Sequence, residues 1–393
     1  MNGTNGRLID TVEEFWISDD WASAVSSVSP DVVGQFCRSF VEYLDARDFI
    51  AFPCSTGEEA LYWALRVAFS YTTRRKVLVC GFNCGVVFRA VEAAGGEPIK
   101  FDRPTPERYA DVLHDLIVQA KPAVVVVTHF FGAPEDFSGL IEFARSQGVF
   151  LLEDCAHCLG GEIGARTAGT LADASIFSFN YDKPISLLGG GMLLLAATHA
   201  QRLAAVGYET GGLHAARQSY EWIAISLLRY WLHWRRNPFG ARGFVNRLSM
   251  RFLGKWLIKF NRSIPLGPIR ASLGLTLLHR YRQVLETRRK NEANIRLRGD
   301  ASGWRYPTTV KPAWLKQKAG PFDSAALMRI EQAARDQRIR LGNYNWPDSR
   351  DTDLNCNLEN MNYARYWLDI PVHQNLSVSN LVEINRILDE TEG

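Results

Sequence analysis

FLLEDCAHCLGGEIGARTAGTLADASIFSFNYDKPISLLGGGM, residues 150–192, is the stretch that decides the fold. It opens as an apolar run ending in Glu153-Asp154, which predicts a carboxylate at the C-terminal end of a buried strand. A second apolar run, Ala174 to Phe179, leads into Asn180-Tyr181-Asp182-Lys183 and then Gly189, Gly190 and Gly191. Open α/β folds bind ligands outside the carboxyl ends of their parallel strands. An acid, an amine and the Ser178 hydroxyl are expected on one such edge, where glycines allow close backbone approach.

That set of groups suits pyridoxal phosphate. The cofactor needs an amine to hold it as a Schiff base and later to move a proton, and Lys183 is the candidate. Its ring becomes an electron sink when the pyridine nitrogen keeps a proton, a cation that a buried Asp154 favours. His157, three residues beyond Asp154, is placed to stack on the ring or to hydrogen-bond its phenolic oxygen. Each part has a plainer reading alone: a strand-end aspartate can be structural, and a lone lysine is ordinarily a solvated charge. Their order and spacing carry the inference.

EDCAH (Glu153–His157), the ADASIFSF run (Ala172–Phe179), Lys183 four residues after Phe179, and Gly190-Gly191 resemble the DegT/DnrJ/EryC1/StrS family. These are fold-type-I, pyridoxal-phosphate-dependent aminotransferases acting mainly on nucleotide-linked keto-sugars. The resemblance extends, in the same order, through CSTGEEALYWAL (54–65), AAGGEPIKFD (93–102), VVVVTHFFG (124–132), ASLGLTLLHR (271–280) and LDIPVHQNLSVSNLVEINRIL (368–388). It implies an α/β fold: a large domain with a mostly parallel seven-stranded sheet sandwiched by helices, plus a smaller α+β C-terminal domain. The expected division is 1–266 and 267–393. It also implies Lys183 as the cofactor lysine, Asp154 as the pyridine-nitrogen partner, His157 as a ring contact and Ser178 as a phosphate contact. A homodimer with sites built between subunits is expected on the same ground.

Composition agrees with a globular chain. At 393 residues it is long enough for a large core and two lobes, and with 47% hydrophobic and 22% charged residues it is not a disordered sequence. The formal charge of +3 is too small to imply nucleic acid. The N-terminal stretch MNGTNGRLIDTVEEFW carries acids and no apolar core of signal-peptide length, so a cytoplasmic setting is expected. Seven cysteines fit a reduced compartment better than a disulfide framework. Cys80-x3-Cys84 and Cys155-Ala156-His157-Cys158 raise a zinc site as a rival. They interrupt apolar strand–turn–helix units, where cysteine acts as a small hydrophobe, so no metal is expected.

Upstream, Val32-Val33, Phe36, Phe40-Val41 and Leu44 recur at helical spacing and are expected to pack on the main domain. FIAFP then leads to Cys54-Ser55-Thr56-Gly57 and a helical run. A helix opening at Thr56-Gly57-Glu58 offers unpaired N–H groups to a phosphate, while the bland reading is an N-cap at Ser55 or Thr56. The family commonly has Ser-Gly-Thr at this point. Glu58 supplies a backbone N–H but no hydroxyl, and its charge repels phosphate unless it points away. VLVCG (77–81), EPIKFD (97–102), AVVVVTHF (123–130) and VFLLED (149–154) are further strands, buried on both faces by their unbroken apolar runs. Where the family stacks an aromatic on the cofactor, this chain has Cys84. Phe82 or His157 then takes that role.

One region departs from the family pattern. From Trp222 to Leu285 there is no Asp or Glu, against twelve Lys and Arg interleaved with aromatic and aliphatic residues. Arg interrupts the apolar runs too often for a bilayer span. A basic amphipathic insertion over 222–265 suits packing on a neighbouring subunit, with its arginines solvated or meeting substrate phosphates. It also suits peripheral attachment to a membrane. No recognition motif accompanies the charge, so nucleic acid is not expected. ASLGLTLLHRYRQVLETRR reads as a long helix from Leu273, Leu277, Tyr281 and Leu285 on one face. Asn261, Asn345 and Trp346 are further places where the resemblance brings chain near a site.

The expected activity is ping-pong amino transfer from a donor, glutamate by family analogy, to a nucleotide-linked keto-sugar for surface polysaccharide or glycoside synthesis. Related dehydratases carry histidine where Lys183 stands, which favours amino transfer here. The rival class is a family member that has lost turnover, marked by Glu58 and Cys84, and serves as a binding or assembly component at the membrane surface.

Overall fold

The structure, a computed structural model, describes residues 18–26, 28–104, 108–208, 221, 223, 225–227, 264–295, 310–311, 316–319, 324–337, 339, 368–371, 373 and 375–390. Most of the basic 222–265 stretch lies outside them, as do Asn261, Asn345 and Trp346.

Strands form where the β-branched and apolar runs predict them: Phe49–Cys54 (β1), Lys76–Cys80 (β2), Glu97–Phe101 (β3), Val124–Thr128 (β4) and Phe150–Asp154 (β5). A short hairpin, Glu162–Ile163 (β6) and Arg166–Thr167 (β7), precedes Ala174–Ser178 (β8) and Gly191–Ala196 (β9). Seven of these make one sheet in the order β1-β9-β8-β5-β4-β2-β3. Only β9 runs against its neighbours; the β8-β5, β5-β4, β4-β2 and β2-β3 pairs are parallel. The glycine run after Lys183 thus ends in a strand that the sequence reading does not foresee. It fills the gap between β1 and β8.

Alternation along the strands sends side chains to two faces. Helices Ser18–Ser26 (α1) and Val32–Tyr43 (α2) precede β1. Val124 and Val126 of β4, with Leu193 and Leu195 of β9, pack under Gly57–Phe69 (α3) and Gly85–Ala93 (α4). Val125 and Val127 face Tyr109–Ala120 (α5), where Tyr109, Leu113 and Ile117 close the other side. Under β8 and β9 that second face is covered by the helix Val32–Tyr43, through Phe36 and Phe40, and by a long helix, Pro268–Ala293. The N-terminal helical expectation holds.

Gly267 and Pro268 open the long helix, proline at N1 giving up an N–H that would have no helical partner. Glu221 supplies what else the end needs: its carboxylate accepts from the N–H groups of Gly267, Ile269 and Arg270 at 2.9, 3.0 and 3.2 Å. Leu273, Leu277, Tyr281 and Leu285 are buried on one face, as expected. Beyond it a second, smaller core gathers Ile295, Ile330, Ala334, Ile339, Leu381, Ile384 and Ile387. The Asn291 amide donates to the His373 carbonyl at 2.8 Å, so the long helix reaches both cores.

Three arginines just beyond the 222–265 stretch have partners within the fold. Arg270 is wholly buried, Arg280 pairs with Asp20, and the exposed Arg282 lies over the Tyr43 ring at 5.6 Å.

Gly274 gives the packing a sharp test. Alanine at a helix-interior glycine ordinarily gains about 1 kcal/mol. Here an added methyl would stand 2.6 Å from the Phe36 ring, which is itself packed on Phe40 and Phe179. Overpacking of that kind costs about 1–3 kcal/mol. Gly274→Ala is expected to lower the melting temperature; an unchanged or raised value would show that the long helix stands off the helix Val32–Tyr43 that carries Phe36.

Candidate active site

The C-terminal edge of the sheet gathers the chemistry. Lys183 sits in the loop from β8 to β9, which closes on a single residue: the Phe179 carbonyl accepts from the N–H of both Leu187 and Gly189, at 2.9 and 3.1 Å. At the tip, Lys183 Nζ lies 2.8 Å from Nε2 of His157, in the turn after β5, and 3.8 Å from a carboxylate oxygen of Asp182. An ammonium has only donors, so Nε2 of that imidazole is the acceptor.

Asp154 ends β5, with one oxygen accepting from the Ala156 N–H at 3.0 Å. Its neighbour Glu153 faces the opposite way. That buried carboxylate accepts from His129 Nε2 (3.0 Å) and from the N–H groups of Gly169, Leu171 and Ala172 (2.7, 2.8 and 3.0 Å). His129 Nδ1 in turn accepts from the Glu135 N–H at 3.0 Å, which assigns the ring proton to Nε2. His129, Glu153 and Cys155 lie close enough to hold a metal ion. The nitrogens and oxygens of that trio are already engaged, so the cluster reads as a hydrogen-bond network that ties the 169–172 turn to β5. The six described cysteines are free thiols.

The third element is the start of α3. Thr56 is its N-cap, with extended backbone and Oγ1 accepting from the Glu59 N–H at 3.0 Å, while the Glu59 carboxylate accepts from the Ser55 N–H at 2.6 Å. The N–H groups of Gly57 and Glu58 precede any helical acceptor. Gly57 presses on β8: a Cβ there would stand 2.9 Å from Ser178 Cβ. The helix N-terminus and the Ser178 side chain therefore sit together. Glu58 extends toward Arg89, Oε1 to Nε 3.4 Å.

One cavity of about 270 Å³ joins these parts, and Thr56, Gly57, Glu58, Asp154, His157, Ser178 and Lys183 all line it. Cys84 lines it too, at the place expected for an aromatic, its thiol pushed up by burial. Phe82 does not take the stacking role: it is buried behind the wall, 5.7 Å from the Phe130 ring and 5.9 Å from Phe131. Of the two candidates, His157 alone reaches the cavity. Asn83, Thr128, Phe131, Tyr181 and Asp182 also line it, without having been singled out. Their signal was position, since each follows or ends a strand on the same edge. Phe131 holds a left-handed backbone (φ 54°), a strained state for a bulky residue and one common at binding sites.

Comparison with known proteins gives this edge a family. A sequence profile for the DegT/DnrJ/EryC1/StrS aminotransferase family matches residues 22–298. The chain belongs to that family. A UDP-N-acetyl-3-dehydro-alpha-D-glucosamine 3-aminotransferase of Acidithiobacillus ferrooxidans is 29% identical over 153 residues, 38% of this chain and 41% of that protein. GDP-perosamine synthase of Escherichia coli O157:H7 is 30% identical over 142 residues, 36% of this chain and 38% of that enzyme. The chain thus spans less than half the length of either relative. The aminotransferase TlmJ from Streptoalloteichus hindustanus superposes with a TM-score of 0.70 over 98% of this chain and 99% of its own, at 19% identity. At that identity the likeness establishes a shared fold, and the expected α/β family architecture is the one found.

Burial pushes the Asp154 carboxyl above the ordinary aspartate range, against the pull of the Ala156 N–H, Lys183 and His129. An acid raised in the folded state weighs against folding once pH passes its unfolded value, about 4, and the whole penalty is present above the raised value. Asp154→Asn removes that penalty and keeps an acceptor for Ala156. The ligand-free variant is expected to melt higher than the parent at pH 8, with the gain fading toward pH 3. A lower melting temperature at pH 8 would show that Asp154 is held by partners in the empty protein.

Proposed function

We propose that this chain is a pyridoxal-phosphate-dependent aminotransferase that passes an amino group, from glutamate, to the carbonyl of a nucleotide-linked keto-sugar. What carries the reading is the pairing of Lys183 with His157 at 2.8 Å inside the cavity that Asp154 and the start of α3 also line. The names of the family relatives, a UDP-sugar aminotransferase and a GDP-sugar aminating synthase, support the substrate class.

The residues present fit the cofactor. A dianionic phosphate would meet the Gly57 and Glu58 N–H groups, the α3 dipole and the Ser178 hydroxyl, with Glu58 drawn off toward Arg89. Bound there, pyridoxal phosphate would supply an aldehyde that takes up amines and a ring that withdraws electrons from the carbon losing its proton. The chain's own residues do the rest. Asp154, whose ionised form is disfavoured by burial, is relieved by a cation beside it, so it would hold a proton on the ring nitrogen. Lys183 would hold the cofactor and carry the proton, with His157 orienting its amine. Leu61, Val87 and Ile176 give the cavity an apolar wall.

We further propose a cytoplasmic homodimer serving surface polysaccharide or glycoside synthesis, with the small core beyond the long helix forming a C-terminal domain. Among the described residues no helix is long and apolar enough to cross a membrane. For the basic 222–265 stretch we propose packing on a neighbouring subunit or on substrate phosphates. Attachment to an anionic membrane is the rival, and co-sedimentation with phosphatidylserine vesicles decides between them. Pelleting at low salt with release at high salt would establish the rival.

The purified protein with pyridoxal phosphate is expected to show the visible band of a lysine-bound cofactor, bleached by glutamate and restored by a keto-sugar nucleotide. Lys183→Ala should lose the band and at least about 10²–10⁴-fold of turnover, the usual contribution of a positioned proton carrier. A parent without the band ends the proposal. A band that no amino donor bleaches would favour a binding component instead.

A further inference from the structure

One face of the long helix grips both loops that carry the reactive side chains, and it does so through their main-chain carbonyls. The Tyr281 hydroxyl donates to the Leu159 carbonyl at 3.0 Å, two residues after His157. Arg289 donates to the Gly160 carbonyl and to Glu162, each at 3.1 Å. Arg288 Nη1 donates to the Pro184 carbonyl at 3.0 Å, one residue after Lys183. A second buried guanidinium, Arg270, reaches the carbonyls of Leu187 and Leu188 at 3.3 and 3.5 Å. Leu188 has a left-handed backbone (φ 56°) that a leucine does not adopt unless held.

Arg288 is 1% exposed and Arg270 wholly buried. Burying a guanidinium is costly before its hydrogen bonds are counted, and apolar replacements of such groups are often the more stable. Stability alone is therefore a poor account of two of them against one loop. Placement is a better one. Lys183 reaches the cavity through four rotatable bonds, so its amine can be no better fixed than its backbone. Proline has a locked φ, so a donor on the Pro184 carbonyl holds the peptide that follows Lys183. Tyr281 and Arg288 are seven residues apart, two turns along the same face, and the Arg288 guanidinium lies 5.5 Å over the Tyr281 ring.

We propose that Arg288 is a positioning residue: by holding the Pro184 carbonyl to the helix face that holds Leu159, it sets the distance between Lys183 and His157. This rests on the functional reading above, in which Lys183 carries the cofactor.

The test uses the full chain loaded with pyridoxal phosphate. The rate at which borohydride fixes the cofactor onto Lys183, read by the mass of the Lys183 peptide, is compared with the pH midpoint of the visible band and the melting temperature. Arg288→Met keeps the volume and removes the donors. It is expected to slow trapping by about 10-fold or more, as small misplacements of reacting groups do, and to displace the midpoint. Arg288→Lys keeps the charge and one donor, and should recover part of both. A cooperatively melting Arg288→Met protein that traps at the parent rate with the parent midpoint overturns the proposal. If Arg288→Met does not fold, Arg288→Lys decides: slower trapping at the parent's melting temperature supports positioning, and parent-like trapping overturns it. A parent that shows no lysine-bound band overturns the functional reading, and this inference with it.

Discussion

Everything at the sheet edge depends on two stretches of backbone coming closer than side chains permit. Gly191, the first residue of β9, lies so near the start of α3 that a Cβ on it would stand 2.4 Å from the carbonyl carbon and oxygen of Thr56. The Gly190 N–H donates to the Ser55 carbonyl at 3.0 Å, and a bridge joins Thr56 to Gly190. Through that contact the helix that offers N–H groups to an anion is locked to the loop that offers the amine. Without it, β9 would not fit between β1 and β8, and the α3 N-terminus and the Lys183 amine would belong to separate parts of the chain.

The buried polar groups have a related task. Glu153, His129 and the 169–172 turn form a closed set in which the carboxylate has four donors and both ring nitrogens are engaged. A carboxylate in that position would be costly if any partner were missing. Satisfied, it fixes the register of the segment entering β8, and so the placing of Ser178. Asp154, one residue along, has a single backbone donor and remains available to the cavity. Adjacent acids on one strand point to opposite faces, and their environments give them opposite roles.

Much of this was legible in the sequence. Unbroken apolar runs marked β2, β4, β5 and β8, because a strand buried on both faces has no polar side to interrupt it. β1 and β3 form as strands too, but as the outermost described strands of the sheet they are only partly buried. The expectation of burial on both faces fails for β3, where Glu97 and Lys100 are exposed. The residues named from EDCAH, Thr56-Gly57-Glu58 and Lys183 line one cavity, since each ends a strand or follows one. What escaped reading has physical reasons. GMLLLA, residues 191–196, looks like the tail of a glycine loop, and its strand exists only because β1 and β8 need a partner between them. Phe82 carries the right ring, but its packing against Phe130 and Phe131 turns it behind the wall, a tertiary choice that spacing does not encode. Arg270 reads as one more cation in a basic stretch. Its burial depends on Glu221 and on carbonyls more than eighty positions away in the chain.

Among the described residues the sheet ends at β1 and β3, and each carries a proline: Pro53 within Phe49–Cys54 and Pro98 within Glu97–Phe101. A proline has no N–H to offer an incoming strand, and Lys100 adds a charge beside Pro98. The sheet is thereby discouraged from growing sideways, either into a continuous sheet across two copies or into fibrous aggregates.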